Sequence, residues 1–174
     1  MESDERRTVD RARTRNGELQ LRAFEASGEV HHELVFDGTF LMASYNAPSS
    51  RALTRAIVDR VGGRRSLNFL IGGLGMGYSL REALACPATQ SVCVVEVEPH
   101  IESWNRAHLG NSDILDDPRT EVIIGDFYDF VQGNPKSYDG IAIDIDNGPD
   151  WVIRAENRRV YSLSMLETLR TRLR

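Results

Sequence analysis

The sequence predicts an α/β fold, a doubly wound parallel sheet preceded by a small β-hairpin segment. Three observations support this prediction. Short apolar runs alternate with stretches that carry apolar residues at helical spacing, as βαβ units do. A turn rich in glycine, residues 72–77, follows the first of these runs. Acidic residues follow the later runs, at the strand ends beyond which such sheets bind ligands.

The first part of the chain lacks this alternation. Residues 1–17 are polar and dense in charge, so we expect a frayed or disordered arm there. Residues 18–47 carry short apolar runs on either side of Asp37-Gly38, which predict antiparallel strands and a hairpin turn. We expect residues 48–174 to form a Rossmann-like, nucleoside-binding domain that is incomplete at its C-terminus.

Within that domain, four runs are apolar over most of their length, as expected for strands buried on both faces. They cover residues 67–71, 91–97, 121–124 and 140–145. Helical spacing of apolar residues predicts helices before, between and after these strands, the last of them over residues 158–173. The helices are predicted to begin near Pro48, Tyr78, Pro99, Phe127 and Arg158.

The glycine-rich turn predicts a close approach between backbone and ligand. Gly73, Gly75 and Gly77 leave little side-chain bulk, and the helix that follows offers free N–H groups. Tight packing alone is the alternative explanation of such a turn. Glu96 lies at the end of the second strand, about 20 residues after the turn, where a carboxylate can accept both hydroxyls of a ribose. This spacing favours a nucleoside ligand over packing alone.

Two further strands also end in acids. Asp126 follows the third strand, Asp144 lies at the end of the fourth, and Asp146 stands just beyond it. One acid at each strand end on a single rim indicates an acidic cleft, although each acid alone could belong to a solvated loop. A ligand with a ribose, an exocyclic amine and a positive charge suits this cleft. A sulfonium nucleoside has all three.

Composition excludes several functional classes. A formal net charge of −5 argues against a protein that binds nucleic acid through bulk electrostatics. No apolar run approaches the length of a membrane span, and the N-terminus lacks the apolar core of a signal peptide. Cys86 and Cys93 do not have metal-binding or redox spacing. We therefore expect a cytoplasmic protein without a metal, a nucleic-acid partner or a membrane partner.

From Leu67 to Leu173, about three fifths of the chain, the sequence resembles the polyamine aminopropyltransferase family, the spermidine and spermine synthases. That family has a class I S-adenosylmethionine methyltransferase-like fold. The resemblance is carried by an ordered set of motifs rather than by any single one. The matching segments are residues 73–78 with Arg81-Glu82, Glu96-Val97-Glu98, Asp117-Pro118-Arg119, Gly125-Asp126, residues 138–144 and Tyr161.

The resemblance implies a role for each rim residue. Glu96 would hold the ribose hydroxyls, and Asp126 the adenine amino group with Phe127 beside the base. Asp144 would act as general base, or hold the amine, for in-line attack on a carbon attached to sulfur. Three residues are assigned to the substrate pocket: Asp146, Tyr161 and Tyr45.

The sequence also departs from the family pattern. Met76 replaces the aspartate of the glycine motif, and Tyr78 replaces a glycine. Residues 45–50 contain no acid or histidine to complete a polyamine pocket. Family members continue into further strands after the last helix, which would leave the fourth strand here as an unprotected edge. Either a second chain covers that edge, or the N-terminal strands do, or this is a shortened gene product. An exposed strand edge favours pairing with another chain, which predicts a homo-oligomer.

The sequence therefore predicts a spermidine synthase-like transferase that moves an aminopropyl group from decarboxylated S-adenosylmethionine to a small-molecule amine. No cofactor is expected to stay bound, because the sulfonium nucleoside is a cosubstrate. Two alternatives remain open. Met76 favours a methyltransferase that uses S-adenosylmethionine itself, and the altered substrate loop favours a non-catalytic adenosyl-binding or assembly protein.

Overall fold

The computed structural model describes residues 5–61, 63–146 and 152–174. The chain divides into two compact units, Met1–Pro48 and Ser49–Arg174. The first unit is built on an antiparallel sheet, and the second is a mixed α/β unit with a parallel sheet.

The first unit is a four-stranded antiparallel meander. Its strands follow one another in the sheet in chain order: β1 Arg7–Thr14, β2 Gly17–Ala26, β3 Glu29–Phe36 and β4 Thr39–Ala43. A short 3₁₀ helix, Ser44–Asn46, follows β4. Asp37 and Gly38 have φ values of 45° and 77°, which suits the tight turn of a hairpin between twisted strands. The predicted turn at this dipeptide is therefore present.

The expectation of a frayed arm over residues 1–17 is wrong for the part that forms β1. Arg7 to Thr14 pair with β2 from Ala23 to Gly17, and Ala12 is buried. Most of the charged side chains of β1 stay at the surface while its backbone completes the ladder. A high density of charge along a strand is compatible with pairing when one face remains in water.

The second unit confirms the predicted doubly wound sheet. Its strands are β5 Leu67–Gly72, β6 Thr89–Glu96, β7 Thr120–Ile124 and β8 Gly140–Ile143. All neighbouring pairs are parallel, and the order across the sheet is β7-β6-β5-β8. The strand order reverses beside β5, so the crevice at its carboxyl end is where such a sheet binds its ligand.

Among the residues that the structure describes, six helices surround this sheet or lead into it. They are α1 Ala47–Arg60, α2 Tyr78–Ala85, α3 Pro99–Ala107, α4 Ser112–Leu115, α5 Phe127–Gly133 and α6 Leu163–Thr171. The helix expected over residues 158–173 is interrupted. A 3₁₀ helix, Ala155–Tyr161, ends at Ser162, whose backbone is extended and whose Oγ accepts the N–H of Met165 at 3.3 Å. Ser162 therefore caps α6 and separates it from the 3₁₀ helix.

A core of apolar side chains on one face of the sheet supports β5 and β6. Its buried members come from the strands, from α5 and α6, from the 3₁₀ helix and from the segment before β8: Leu70, Cys93, Val95, Phe127, Val131, Tyr138, Val160, Met165 and Leu169. Burial raises the pKa of the Cys93 thiol to about 11, so the thiolate is scarce at neutral pH. Cys93 is a packing residue.

Within the described residues, no helix is both long and apolar enough to cross a membrane. The same residues contain no group of three or more histidine, cysteine, aspartate or glutamate side chains arranged to hold a metal ion.

Candidate active site

Backbone hydrogen bonds bring the strand ends together beyond the central strands. The N–H of Gly73 donates to the carbonyl of Val95 at 2.9 Å, which extends the pairing of β5 with β6. The N–H of Asp144 donates to the carbonyl of Gly72 at 2.8 Å, which does the same between β8 and β5. Asp144 is thereby fixed beside the start of the glycine turn.

The glycine turn depends on backbone conformations that residues other than glycine rarely adopt. Gly73 has a φ of +89°, and a Cβ atom there would overlap the backbone oxygen of Asp144. Gly77 has a φ of +77°, and a Cβ there would lie 2.9 Å from Nδ2 of Asn111. Both glycines therefore permit close packing within the protein. Gly75 also has positive φ, at 52°.

Two buried asparagines hold the far side of this turn. Asn105 Nδ2 donates to the carbonyl of Gly75 at 2.8 Å, and Asn111 Nδ2 donates to the carbonyl of Met76 at 2.9 Å. Asn111 Nδ2 also lies 2.7 Å from Asn105 Oδ1. The sequence analysis missed both residues. For Asn105, the available signal was a polar residue one helical turn after Ile101, on the buried face of α3. An amide buried there is almost always hydrogen-bonded to another part of the protein.

Glu96 closes the turn from the other side. Its Oε2 accepts the N–H of Leu74 at 2.9 Å, and its Oε1 accepts the N–H of Glu98 at 2.9 Å. Burial raises the pKa of the Glu96 carboxyl, and these backbone donors act in the opposite direction. Each carboxylate oxygen has a second lone pair, so Glu96 can still accept hydroxyl donors.

Asp126 is engaged by a cation. As the N-cap of α5, its Oδ1 accepts the N–H of Asp129 at 3.1 Å. The guanidinium of Arg159 lies 2.9 Å from the same Oδ1 and 4.5 Å from the ring centre of Tyr128. The hydrogen bond to Asp126 raises the pKa of Arg159. Oδ1 of Asp126 therefore takes part in both the helix cap and the ion pair.

Phe127 lies in the core. Only 4% of its surface is exposed, and a Cβ on Gly72 would lie 2.8 Å from its ring. Phe127 thus packs beneath the end of β5, together with Leu70 and Val95. Its predicted place beside a base stays a prediction.

Two serine hydroxyls bind the carboxylate of Asp144. Ser79 Oγ donates to Oδ2 at 2.7 Å, and Ser50 Oγ donates to Oδ1 at 3.3 Å. Both serines are almost fully buried. The sequence analysis missed them as site residues, although it predicted the helix that carries Ser50 to begin near Pro48, and α1 begins at Ala47.

Asp146 and Tyr161 lie beside Asp144. Asp146 has a φ of +54° and accepts Nδ2 of Asn157 at 2.9 Å, and burial raises the pKa of its carboxyl. The hydroxyl of Tyr161 donates to the carbonyl of Ile145. Burial, followed by the negative charges of Asp146 and Asp144, raises the pKa of Tyr161 to about 12. These three predicted site residues therefore form one cluster.

Tyr45 belongs to the first unit. Its hydroxyl donates to Oε1 of Glu33 at 2.9 Å, and its ring makes edge contacts with Phe24 and His31. Slight desolvation and the neighbouring Glu33 raise the pKa of its phenol. Its role in a substrate pocket stays a prediction.

Comparison with known proteins adds to this geometry. No protein-family model matches the chain. A polyamine aminopropyltransferase of Sulfolobus acidocaldarius is 36% identical over 86 residues, which are 45% of this chain and 26% of that protein. Polyamine aminopropyltransferase 2 of Pseudomonas aeruginosa is 31% identical over 111 residues, 60% of this chain and 30% of that protein. The chain resembles the polyamine aminopropyltransferases.

Solved structures of spermidine synthases show the same fold. Spermidine synthase from Thermotoga maritima superposes with a TM-score of 0.77 at 18% identity, covering 97% of this chain and 54% of that one. A spermidine synthase in complex with the transition state analogue AdoDATO gives a TM-score of 0.80 at 19% identity, covering 97% and 55%. This chain thus spans about half the length of these structures, and its matched segments span under a third of the two curated relatives.

Within the part that resembles the polyamine aminopropyltransferases, two predicted acids flank the glycine turn. Asp144 backs onto Gly73, and Glu96 binds the N–H of the next residue, Leu74. The structure therefore brings the glycine turn, the predicted ribose acid and the predicted base together at one rim. Asp126 lies after β7 at the same edge of the sheet, and its carboxylate is paired with Arg159.

Proposed function

We propose that this chain carries the nucleoside-binding and catalytic part of a spermidine synthase-like transferase. It would move an aminopropyl group from decarboxylated S-adenosylmethionine to an amine. One observation carries the proposal: Asp144 and Glu96 approach the glycine turn at successive residues, Gly73 and Leu74. A nucleoside whose ribose is bound by Glu96 would then present its sulfur substituent on the side of Asp144.

Glu96, Asp126 and Phe127 would hold the adenosyl group. The free lone pairs of Glu96 would accept the two ribose hydroxyls, which are donors of the right geometry for a carboxylate. Oδ2 of Asp126 would accept the exocyclic amine of adenine while Oδ1 stays with Arg159. Phe127 would support the base from the core side. Gly73, Gly75 and Gly77 would let the backbone approach the ligand closely.

The reaction forms one C–N bond and breaks one C–S bond. The neutral amine attacks the carbon attached to sulfur, and the sulfur keeps the electron pair, which turns the sulfonium into a neutral thioether. The amine loses one proton, and Asp144 would accept it. Asp146 and Tyr161 would line the amine side of the same cluster. Attack on a sulfonium needs mainly correct positioning, which fixed side chains supply.

A methyltransferase is the second candidate, and one feature of the glycine turn favours it. Met76 stands where the family has an aspartate, and its side chain is buried. The guanidinium of Arg51 lies 5.3 Å from the ring centre of Tyr78, at the start of α2. This side of the turn thus carries a cation and no acid from the loop. A cation suits the carboxylate of S-adenosylmethionine, which the decarboxylated donor lacks.

Calorimetric titration distinguishes the two candidates. The ligands are decarboxylated S-adenosylmethionine, S-adenosylmethionine and methylthioadenosine, each added to the purified chain. Aminopropyl transfer predicts tight binding of the decarboxylated donor and of methylthioadenosine. A preference for the carboxylated donor, reduced in Arg51→Gln, would support methyl transfer instead. Binding of none of the three would contradict both candidates.

We also propose that the protein self-associates, and a cytoplasmic location remains our prediction. Strand β8 is the outermost strand on its side of the sheet in the part of the chain that the structure describes. Unpaired N–H and C=O groups at a sheet edge favour pairing with a second chain. Sedimentation at micromolar concentration tests this, and a monomer would contradict it.

A further inference from the structure

The carboxylate of Asp144 is held by hydroxyl groups from two different helices. Ser79 is the second residue of α2 and is 1% exposed, whereas Ser50 lies in α1 and is 3% exposed. Water therefore has little access to either hydroxyl, and each hydroxyl needs a partner within the protein. The contact of 2.7 Å from Ser79 to Oδ2 is the shorter of the two.

Ser79 has two acceptors within reach. Its Oγ lies 2.7 Å from Oδ2 of Asp144 and 3.2 Å from the backbone carbonyl oxygen of Ser50. A hydroxyl group has one hydrogen, so it donates to one of these acceptors at a time. When Asp144 is ionised, the shorter contact to a charged oxygen is the stronger one. The Ser50 carbonyl is then the alternative acceptor for the Ser79 hydroxyl.

We infer that Ser79 is a positioning residue that keeps Asp144 hydrogen-bonded both before and after it takes up a proton. This inference rests on the proposed function, in which Asp144 receives the proton of the attacking amine. The new Asp144 O–H donates to Ser79 Oγ, and the Ser79 hydrogen turns to the carbonyl of Ser50. The Ser79 proton itself never leaves its oxygen, and the transferred proton ends on Asp144.

The consequence is a smaller energetic penalty for proton uptake at a partly buried acid. Without Ser79, the protonated carboxyl group would lose its acceptor, and the ionised group would lose its shorter donor. An unsatisfied buried polar group is costly. The other ionisable groups of this cluster are Tyr161 and Asp146, and the Tyr161 hydroxyl already donates to Ile145. Tyr161 therefore does not replace Ser79 in this role.

The test compares Ser79→Ala with Ser79→Thr, which keeps the hydroxyl. We expect Ser79→Ala to lower kcat for aminopropyl transfer by about tenfold or more, the loss expected for one hydrogen bond to a charged group. We expect Ser79→Thr to keep most of that rate. The affinity for methylthioadenosine should stay unchanged in both, because the nucleoside contacts are intact. Ser103→Ala removes an exposed hydroxyl that donates to the carbonyl of His100, and is the matched control.

Two results would overturn the inference. One is a kcat of Ser79→Ala equal to that of the wild type. The other is an equal loss of kcat in the alanine and threonine variants, both folded by circular dichroism. Ser50→Ala removes the longer contact to Asp144 but keeps the backbone carbonyl that is the alternative acceptor for Ser79. Its loss of kcat should therefore be smaller than that of Ser79→Ala.

A structural measurement keeps the inference testable if the proposed function fails. If the wild type transfers no aminopropyl group, a crystal structure at atomic resolution still measures the separation of Ser79 Oγ and Asp144 Oδ2. A separation within hydrogen-bonding range would show that Ser79 still holds Asp144 and that the proposed function alone has failed, whereas one beyond about 3.5 Å overturns the inference.

Discussion

The two sides of the candidate site are built differently. On the nucleoside side, which comprises Leu74, Glu96, Asn105 and Asn111, side-chain oxygens and amides bind backbone groups of the glycine turn and its surroundings. On the reaction side, which comprises Ser50, Ser79, Asp144 and Tyr161, the central carboxylate is bound by side-chain hydroxyls. The first side fixes a loop, and the second side fixes a charged group.

This difference indicates which part of the site can vary. Every residue supplies a backbone N–H and C=O group, so most side chains of the glycine turn are not needed to hold it. The turn depends only on its glycines and on the few amides and carboxylates that bind its backbone. Hydroxyls that hold Asp144 come from α1 and α2, where another side chain would change how the acid is held. The nucleoside side is thus a frame for the adenosyl group, and the reaction side sets the chemistry.

The largest effect that separates the two sides is expected for Asp144→Asn. The amide cannot accept a proton from the amine, so we expect turnover to fall by about 100-fold or more. Binding of methylthioadenosine should remain, because it uses the nucleoside side. Steady-state rates and calorimetry measure the two quantities. Asp113→Asn, an exposed acid paired with Arg81, is the control. A matching loss of nucleoside affinity would show that the two sides are not separable.

Gly73→Ala tests the junction of the two sides. A Cβ there would overlap the backbone oxygen of Asp144, and the φ of +89° is unfavourable for alanine. We expect a loss of about 2–4 kcal/mol in the free energy of unfolding, measured with urea. Gly133→Ala is the matched control, since nothing lies within 4 Å of an added Cβ there. Equal stability of the two variants would contradict this account of the turn.

Asn105→Ala acts on the nucleoside side alone. It removes the donor to the Gly75 carbonyl and the acceptor for Asn111, so we expect a loss of about 1–3 kcal/mol in stability. Nucleoside affinity should fall with it, whereas the Ser79–Asp144 contact should persist. Gln132→Ala, an exposed change in α5, provides the comparison. An unchanged nucleoside affinity would show that the asparagines serve packing only.

The buried carboxyl group of Glu96 is expected to have a smaller effect, on the pH dependence of stability. Burial raises its pKa in the folded state above the ordinary value of 4.5. Between that value and the folded pKa, the folded protein binds more protons than the unfolded chain, so stability falls as the pH rises through this window. Glu96→Gln should remove up to about 1.4 kcal/mol per pH unit of this slope. Urea unfolding between pH 4.5 and 7 measures it, with Glu167→Gln as control. A slope unchanged by Glu96→Gln would contradict the burial effect.

The strands and the rim were predictable because their signals are local. Apolar runs such as the one that became β5 identify buried parallel strands. The connectivity of a parallel sheet then places the residue after each strand at one edge, which is how Glu96 and Asp144 could be named together. Their positions follow from the order of elements alone.

Contacts between distant segments were not predictable in this way. Ser50 is 94 residues from Asp144, and Ser79 is 65 residues from it. Their hydroxyls meet the carboxylate only because the fold brings α1 and α2 to the residue that follows β8. The pairing of Arg159 with Asp126 likewise depends on the break at Ser162, where one serine in a helical pattern acts as a cap.

Product analysis tests the central claim most directly. The purified chain is incubated with decarboxylated S-adenosylmethionine and a diamine, and the mixture is analysed by mass spectrometry. The account predicts methylthioadenosine and a diamine lengthened by one aminopropyl group in equal amounts. Donor binding without either product, or a methylated amine formed from S-adenosylmethionine, would contradict it.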